Sequence, residues 1–190
     1  MQALEKIVPA NLRIDLFELE KAPPELIALA KRATPLPEEP REALRLLIET
    51  ELKQMEQVVQ SLYEHLPRLP EQFNGWDKRV VGSIMHDFYN GVERIFERIA
   101  VQVDGHLPAG ERWHQDLLEQ MAQPRPGVRG AVVDEQLAAR LLEHLKFRPR
   151  FRHTYGPELE WEKMRPLAEE LGDLLVQLKA RLEVVLQGSH

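Results

Sequence analysis

Cysteine is absent from the 190-residue chain. Its absence excludes a disulfide scaffold, thiolate zinc sites and a cysteine nucleophile. Long hydrophobic runs are also missing, since no stretch approaches the ~18 apolar residues of a membrane span. The N-terminal segment MQALEKIVPANLRIDLFELE lacks the basic and apolar regions of a signal peptide. We therefore expect a soluble, cytoplasmic protein with no membrane association.

Several catalytic motifs are lacking as well. The chain has no glycine-rich phosphate loop and no Gly-x-Ser-x-Gly elbow, and only Ser61 and Ser83 precede its last three residues. A di-iron bundle would need two Glu-x-x-His pairs on separate helices, and only Glu111 and His114 fit that spacing. We therefore predict no metal and no cofactor, and we interpret His114 as a structural, hydrogen-bonded residue.

A basic surplus is missing too. Lys and Arg total 25 against 31 Asp and Glu, which gives a formal net charge of -6. Proteins that coat nucleic acids usually carry the opposite imbalance, so the overall charge gives no support to that class. The composition, 43% hydrophobic and 29% charged, is typical of one globular domain.

What the chain does have is helical periodicity. Apolar residues recur every three or four positions after residue 40, and no alternating strands flanked by glycine appear. The pattern predicts an all-α bundle of four to five helices, near residues 40–66, 77–103, 111–122, 134–147 and 158–186. Residues 1–40 form an N-terminal extension, 41–187 the helical domain, and 188–190 have the composition of a tag remnant.

One segment is cationic within this acidic chain. Residues 124–153 carry seven basic and three acidic side chains, a net charge of +4. Such a segment suits an enzyme that acts on a polyanion, and it equally suits an acidic protein partner. Charge alone leaves both interpretations open.

Spacing within this segment favours phosphate chemistry. Four residues separate Arg148 from His153, and Pro149 is expected to end or kink the helix between them. Around such a kink the two side chains could converge on one phosphate. Histidine exchanges protons near neutral pH and arginine stabilises charge that develops on phosphorus, so RNA could be cleaved by transesterification without a metal.

The motif Arg148-x4-His153-x-Tyr155 resembles the R-x4-6-H signature of HEPN-domain ribonucleases, in the R-x4-H-x-Y form of HepT-like toxins. The resemblance extends to the runs HDFYNGVERIFERIA, WHQDLL and RHTYG, and it covers roughly residues 44–186. The first 40 residues carry none of it.

This resemblance implies a HEPN-type helical bundle that dimerises and brings two Arg/His motifs into one cleft. It also implies a toxin of a type II toxin–antitoxin system that cleaves RNA, including transfer RNA. The implied partner is an MntA-like nucleotidyltransferase antitoxin, which inactivates the toxin by attaching AMP to the motif tyrosine. Carried onto this sequence, Arg148 and His153 are catalytic, Arg150 and Arg152 bind substrate, and Tyr155 is modified.

Pro149 departs from the family pattern, because many HEPN motifs place Asn or Asp directly after the arginine. The alternative is a catalytically weak HEPN protein that serves as a nucleotidyltransferase-binding or scaffold module. In purely structural terms, Arg148 and Arg152 could cap helix carbonyls or pair with Glu143, and Tyr155 could be a core residue.

Overall fold

A computed structural model describes residues 40–66, 74–153 and 159–186, with side chains at 41–66, 74–148 and 159–186. These residues form the helices α1 (Pro40–His65), α2 (Gly75–Gln102), α3 (Trp113–Ala122), α4 (Glu135–His153), α5 (Trp161–Glu169) and α6 (Leu171–Leu186). Within these ranges the only β-type pairing is an isolated bridge between Arg125 and Arg129. The predicted all-α class is confirmed, and the predictions for residues 1–39 lie outside the described residues.

Helix α2 forms the centre of the bundle and packs against α3, α4 and α5. A capping box starts it: the Asn74 side chain accepts from the backbone N–H of Asp77, whose carboxylate accepts from the Asn74 N–H. Gly105 follows its C-terminus with φ of 68°, a conformation that glycine adopts without strain. The buried apolar face of α2 comprises Val81, Met85, Phe88, Tyr89, Val92, Ile95, Phe96 and Ile99.

Helices α1 and α2 approach closely at Gly91. A Cβ atom at this position would lie 2.5 Å from Cγ of Met55 on α1, so only glycine fits without displacing that side chain. Beside this contact the buried Glu51 of α1 accepts from Arg94 of α2 at 2.6 Å. The approach and the ion pair together fix α1 against the helix that carries much of the functional site.

The connection between α3 and α4 is held to the end of α2 by a buried ion pair. Arg129 donates to both carboxylate oxygens of Asp104, at 2.7 and 2.6 Å, and both side chains are almost completely buried. Burial raises the pKa of Asp104, but hydrogen bonds from Arg129 and Gln120 outweigh it, so that its pKa lies below the ordinary value. Arg129 therefore has a structural role.

The predicted last helix, 158–186, is wrong in one respect, because the structure divides it at Glu170 into α5 and α6. The cause is Tyr63 of α1, whose hydroxyl donates to the Glu169 carbonyl and accepts from the Gly172 N–H, each at 3.0 Å. A side chain inserted into the helical hydrogen-bond ladder interrupts it. Pro166, inside α5, further weakens this stretch because it has no N–H.

Candidate functional site

Helix α4 carries the motif arginine, and it does not end at Pro149 as the sequence predicts. It continues from Glu135 to His153. Contacts made before the proline fix it, since Leu141 and His144 are buried and Arg148 is bonded to another helix. Five residues of regular α-helix advance about 7.5 Å and turn about 140°, a spacing that puts positions 148 and 153 on different faces of the helix.

Arg148 is held in position by two residues of α2. Its Nη1 donates to Glu93 Oε1 at 2.6 Å, and its guanidinium lies 5.5 Å from the centre of the Tyr89 ring. The side chain is 14% exposed, so the cation is oriented by the core and still reaches solvent. Its Nε and Nη2 groups donate to no other side chain or carbonyl among the described residues.

Glu93 is the centre of this arrangement. It is buried, and the oxygen that accepts from Arg148 also accepts from Nδ1 of His114. A buried carboxylate is stable only when it is paired and hydrogen-bonded, and here two helices supply the partners. Glu93 therefore joins the motif arginine of α4 to the first turn of α3.

His114 is the third residue of the arrangement around Glu93. Its side chain is 34% exposed, its ring stacks on Trp113 with centroids 3.7 Å apart, and its Nδ1 lies 3.4 Å from Nη1 of Arg148. The prediction that His114 is hydrogen-bonded is confirmed, but its partner is Glu93 of a different helix. We refer to Glu93, His114 and Arg148 as the Glu–His–Arg cluster.

The electrostatic effect of the cluster extends to its neighbours on α2. Burial, and secondarily Glu93, raises the pKa of Tyr89 well above its usual range although Arg148 opposes the shift. Tyr89 is therefore a neutral phenol at any physiological pH. Burial and Glu93 also raise the pKa of Glu97, which His114 counteracts.

The cationic segment is largely neutralised. Five of its seven basic residues pair with carboxylates: Arg125 and Arg129 with Asp104, Arg140 with Glu170 and Asp173, Lys146 with Glu143, and Arg148 with Glu93. Four of these five have partners outside the segment, so the net charge of +4 overstates the cation available to a polyanion. The side chains of Arg150, Arg152 and His153, and the whole of Tyr155, lie outside the described residues.

A comparison with protein-family models decides the family. Residues 80–188 match the model described as HepT-like protein, which covers more than half of the chain. The chain belongs to the HepT-like family. This HEPN family is generally related to ribonucleases, and the matched residues include α2 from residue 80 onward, the Glu–His–Arg cluster and the whole Arg148-x4-His153-x-Tyr155 motif. Neither the curated proteins nor the solved structures provide a match.

Sequence reasoning missed two parts of this HepT-like site, Glu93 and Tyr89. One signal was available: Glu93 interrupts the apolar stripe of α2 one turn after Tyr89, at a position that the helical period places in the core. A carboxylate at a core position requires a cationic partner. Which cation it pairs with could not be read from the sequence, because Arg148 is 55 positions away.

Two further observations apply to the described part of this HepT-like chain. No group of three or more His, Asp or Glu side chains within residues 40–66, 74–153 and 159–186 is arranged to hold a metal ion. Over the same residues, no helix is both long enough and apolar enough to cross a membrane.

Proposed function

We propose that this HepT-like protein is a toxin-type endoribonuclease that cleaves RNA by metal-independent transesterification. The observation that carries the proposal is the state of Arg148. A buried carboxylate fixes this cation at the surface of the bundle, and a fixed cation stabilises developing phosphate charge without reorganisation. Membership of a ribonuclease-related family supports the same function.

In the proposed reaction the ribose 2′-oxygen attacks phosphorus, the bond to the 5′-oxygen breaks, and a 2′,3′-cyclic phosphate and a 5′-hydroxyl result. Arg148 stabilises the charge on the phosphoryl oxygens, and Arg150 and Arg152 bind the RNA backbone. His153 transfers a proton at the site. We propose that two copies of the chain form a symmetric dimer, which brings two motifs to one cleft. Transfer RNA belongs to the proposed substrate class.

The test is cleavage of single-stranded RNA and transfer RNA in EDTA. We expect Arg148→Ala and His153→Ala each to lower the rate about 100-fold or more, since each removes transition-state stabilisation or proton transfer. Arg165→Ala and His106→Ala are matched controls, because both residues are exposed and lie outside the Glu–His–Arg cluster. Circular dichroism checks that each variant is folded.

The competing function is a nucleotidyltransferase-binding or scaffold module. Two observations favour it: Pro149 occupies the usual position of a polar residue, and Glu93 already neutralises Arg148. The same assay separates the two functions. An RNA product pattern that is identical for the wild type, Arg148→Ala and His153→Ala would identify contaminating nuclease and favour the binding module.

Regulation by an MntA-like nucleotidyltransferase forms the second part of the proposal. AMP attached to Tyr155 would place a phosphate close in sequence to Arg150 and Arg152, and charge-assisted hydrogen bonds would then occupy cations that the substrate needs. After co-expression with the antitoxin, we expect mass spectrometry to find AMP on Tyr155 and RNA cleavage to be lost. Tyr155→Phe should stay unmodified and active. AMP on a different residue would contradict this assignment.

A further inference from the structure

A second histidine lies at the motif arginine, although it belongs to a different helix and lies outside the motif. His114 is 34 positions before Arg148 in sequence, and its Nδ1 is 3.4 Å from the guanidinium. We propose that His114 is a catalytic base of this site, oriented by Glu93, which takes the proton of the ribose 2′-hydroxyl. This inference rests on the proposed ribonuclease function and adds a residue to it.

The contact with Glu93 determines which nitrogen of His114 can act. An ionised carboxylate only accepts hydrogen bonds, so Nδ1 must carry the proton that it donates to Oε1. In the neutral ring the lone pair is then on Nε2. A carboxylate that fixes the tautomer and supports the imidazolium formed later is the arrangement found in Asp–His pairs of hydrolases.

Nε2 is the ring nitrogen of His114 that Glu93 does not contact. The side chain is one-third exposed, and no described residue forms a hydrogen bond with Nε2. The charged groups shown to interact with the ring are Glu93 and Glu97 from α2 and Arg148 from α4. The lone pair of Nε2 is therefore available for a proton from outside the protein.

Arg148 is the group that would bind the phosphate next to this base. The Nε and Nη2 donors, which Glu93 does not use, can bind a phosphodiester, and the imidazole of His114 lies against Nη1 of the same guanidinium. A base must come within hydrogen-bond distance of the proton that it removes, and a 2′-hydroxyl is adjacent to the phosphate it attacks. One protomer thus brings a phosphate-binding cation and a base together.

The step balances without any further reagent. The 2′-hydroxyl proton passes to His114 Nε2 as the 2′-oxygen bonds to phosphorus, and the bond from phosphorus to the 5′-oxygen breaks. The 5′-oxygen takes its proton from a His153 of the proposed dimer cleft, which regains one from solvent, and the imidazolium of His114 returns its proton to solvent. With this division of roles, His153 is the acid.

The experiment compares His114→Ala with His106→Ala on RNA in EDTA. Loss of a base is expected to lower the cleavage rate about 100-fold, and the control should match the wild type. Free imidazole should restore part of the activity of His114→Ala, because the site is open and the missing group is a proton acceptor. A structural role would not give this rescue.

An RNA substrate in which sulfur replaces the 5′-bridging oxygen shows which histidine is the acid and which is the base. A thiolate leaves without being protonated, so this substrate needs the base but not the acid. His153→Ala should regain cleavage on this substrate, and His114→Ala should remain slow. If His114→Ala instead regains its rate, His114 is not the base. If His114→Ala cleaves RNA at the wild-type rate while His153→Ala does not cleave it, the role of His114 is wrong and the proposed function stands. If the wild-type protein does not cleave RNA, both are wrong.

Nitrogen NMR of the imidazole tests Glu93 without relying on activity. In the wild type the signals of the neutral His114 ring should show a protonated Nδ1 and an unprotonated Nε2. Glu93→Gln should populate both tautomers, because an amide can donate as well as accept. A wild-type ring that carries its proton on Nε2 would overturn the assignment of His114 as base.

Discussion

His144 is the most deeply buried histidine among the described residues, one turn before Arg148 on α4. Its Nε2 donates to Glu170 at 3.0 Å, and its Nδ1 has no partner among the described residues. Burial lowers the pKa of His144 and outweighs the opposing effect of Glu170. The folded state therefore prefers the neutral ring.

This preference predicts a pH dependence of stability. The unfolded chain protonates His144 near pH ~6.5, and the folded chain does so only at lower pH. Between the two pKa values of His144 the unfolded state binds more protons than the folded state. The contribution of the neutral ring to the free energy of unfolding is therefore complete above pH ~6.5 and is lost as the pH falls below it. The loss is at most about 1.4 kcal/mol per pH unit.

Chemical denaturation of wild type and His144→Gln between pH 5 and 8 measures this effect. Glutamine is neutral throughout and keeps a donor toward Glu170, so the difference between the two proteins should change only below pH ~6.5. His106→Gln, at an exposed position, controls for a general effect of removing histidine. Parallel pH profiles for wild type and His144→Gln would contradict the prediction.

At this same scale, the sequence predicts a functional role for Arg148 and does not identify its partners Glu93 and His114. The four-residue spacing to His153 marks Arg148 locally. The contacts with Glu93 and His114 depend on how three helices meet, and they join residues 55 and 34 positions apart. No pattern of neighbouring residues in the sequence predicts these contacts between helices.

At the scale of helices, periodicity predicted where α1, α2 and α3 lie, because their apolar faces repeat regularly. At the start of α4 the Asp134 side chain accepts from the Leu137 N–H at 2.8 Å, and aspartate is a residue that favours this capping position. Regular elements and their local caps depend on neighbours within a few positions, which is why the sequence alone was informative.

Two helix predictions were wrong in opposite ways and for the same reason. Pro149 was expected to end or kink the helix near residue 147, but the helix continues to His153, and 158–186 was expected to continue where it breaks. Tertiary contacts override local propensity in both cases. Packing and the Glu93 bond hold α4 through the proline, and Tyr63, 106 positions away from Glu169, opens the ladder between α5 and α6.

For the molecule as a whole, pairing of the cationic segment limits how strongly RNA binding can depend on salt. Arg125, Arg129, Arg140 and Lys146 already have carboxylate partners apart from the Glu–His–Arg cluster. Only Arg148, Arg150 and Arg152 then remain for phosphate contacts, and each contact to single-stranded RNA contributes about -0.7 to the slope of log K against log salt.

Under the proposed function we therefore expect each protomer to contribute about -2 to the slope, against about -5 if all seven of its cations contacted phosphates. Fluorescence anisotropy with a labelled oligonucleotide and the His153→Ala variant measures binding without cleavage. Arg140→Ala should leave the slope unchanged, and Arg150→Ala should make it shallower. A wild-type slope near -5 would mean that RNA displaces the carboxylates.

The shared oxygen of Glu93 constrains how this site can evolve. Because it accepts from both Arg148 and His114, losing either partner weakens the support of a buried charge, and losing Glu93 leaves two donors without their acceptor. Selection for folding alone therefore preserves the three residues together. A relative without ribonuclease activity would retain them, so the persistence of the arginine in a lineage is evidence of an intact bundle before it is evidence of a working enzyme.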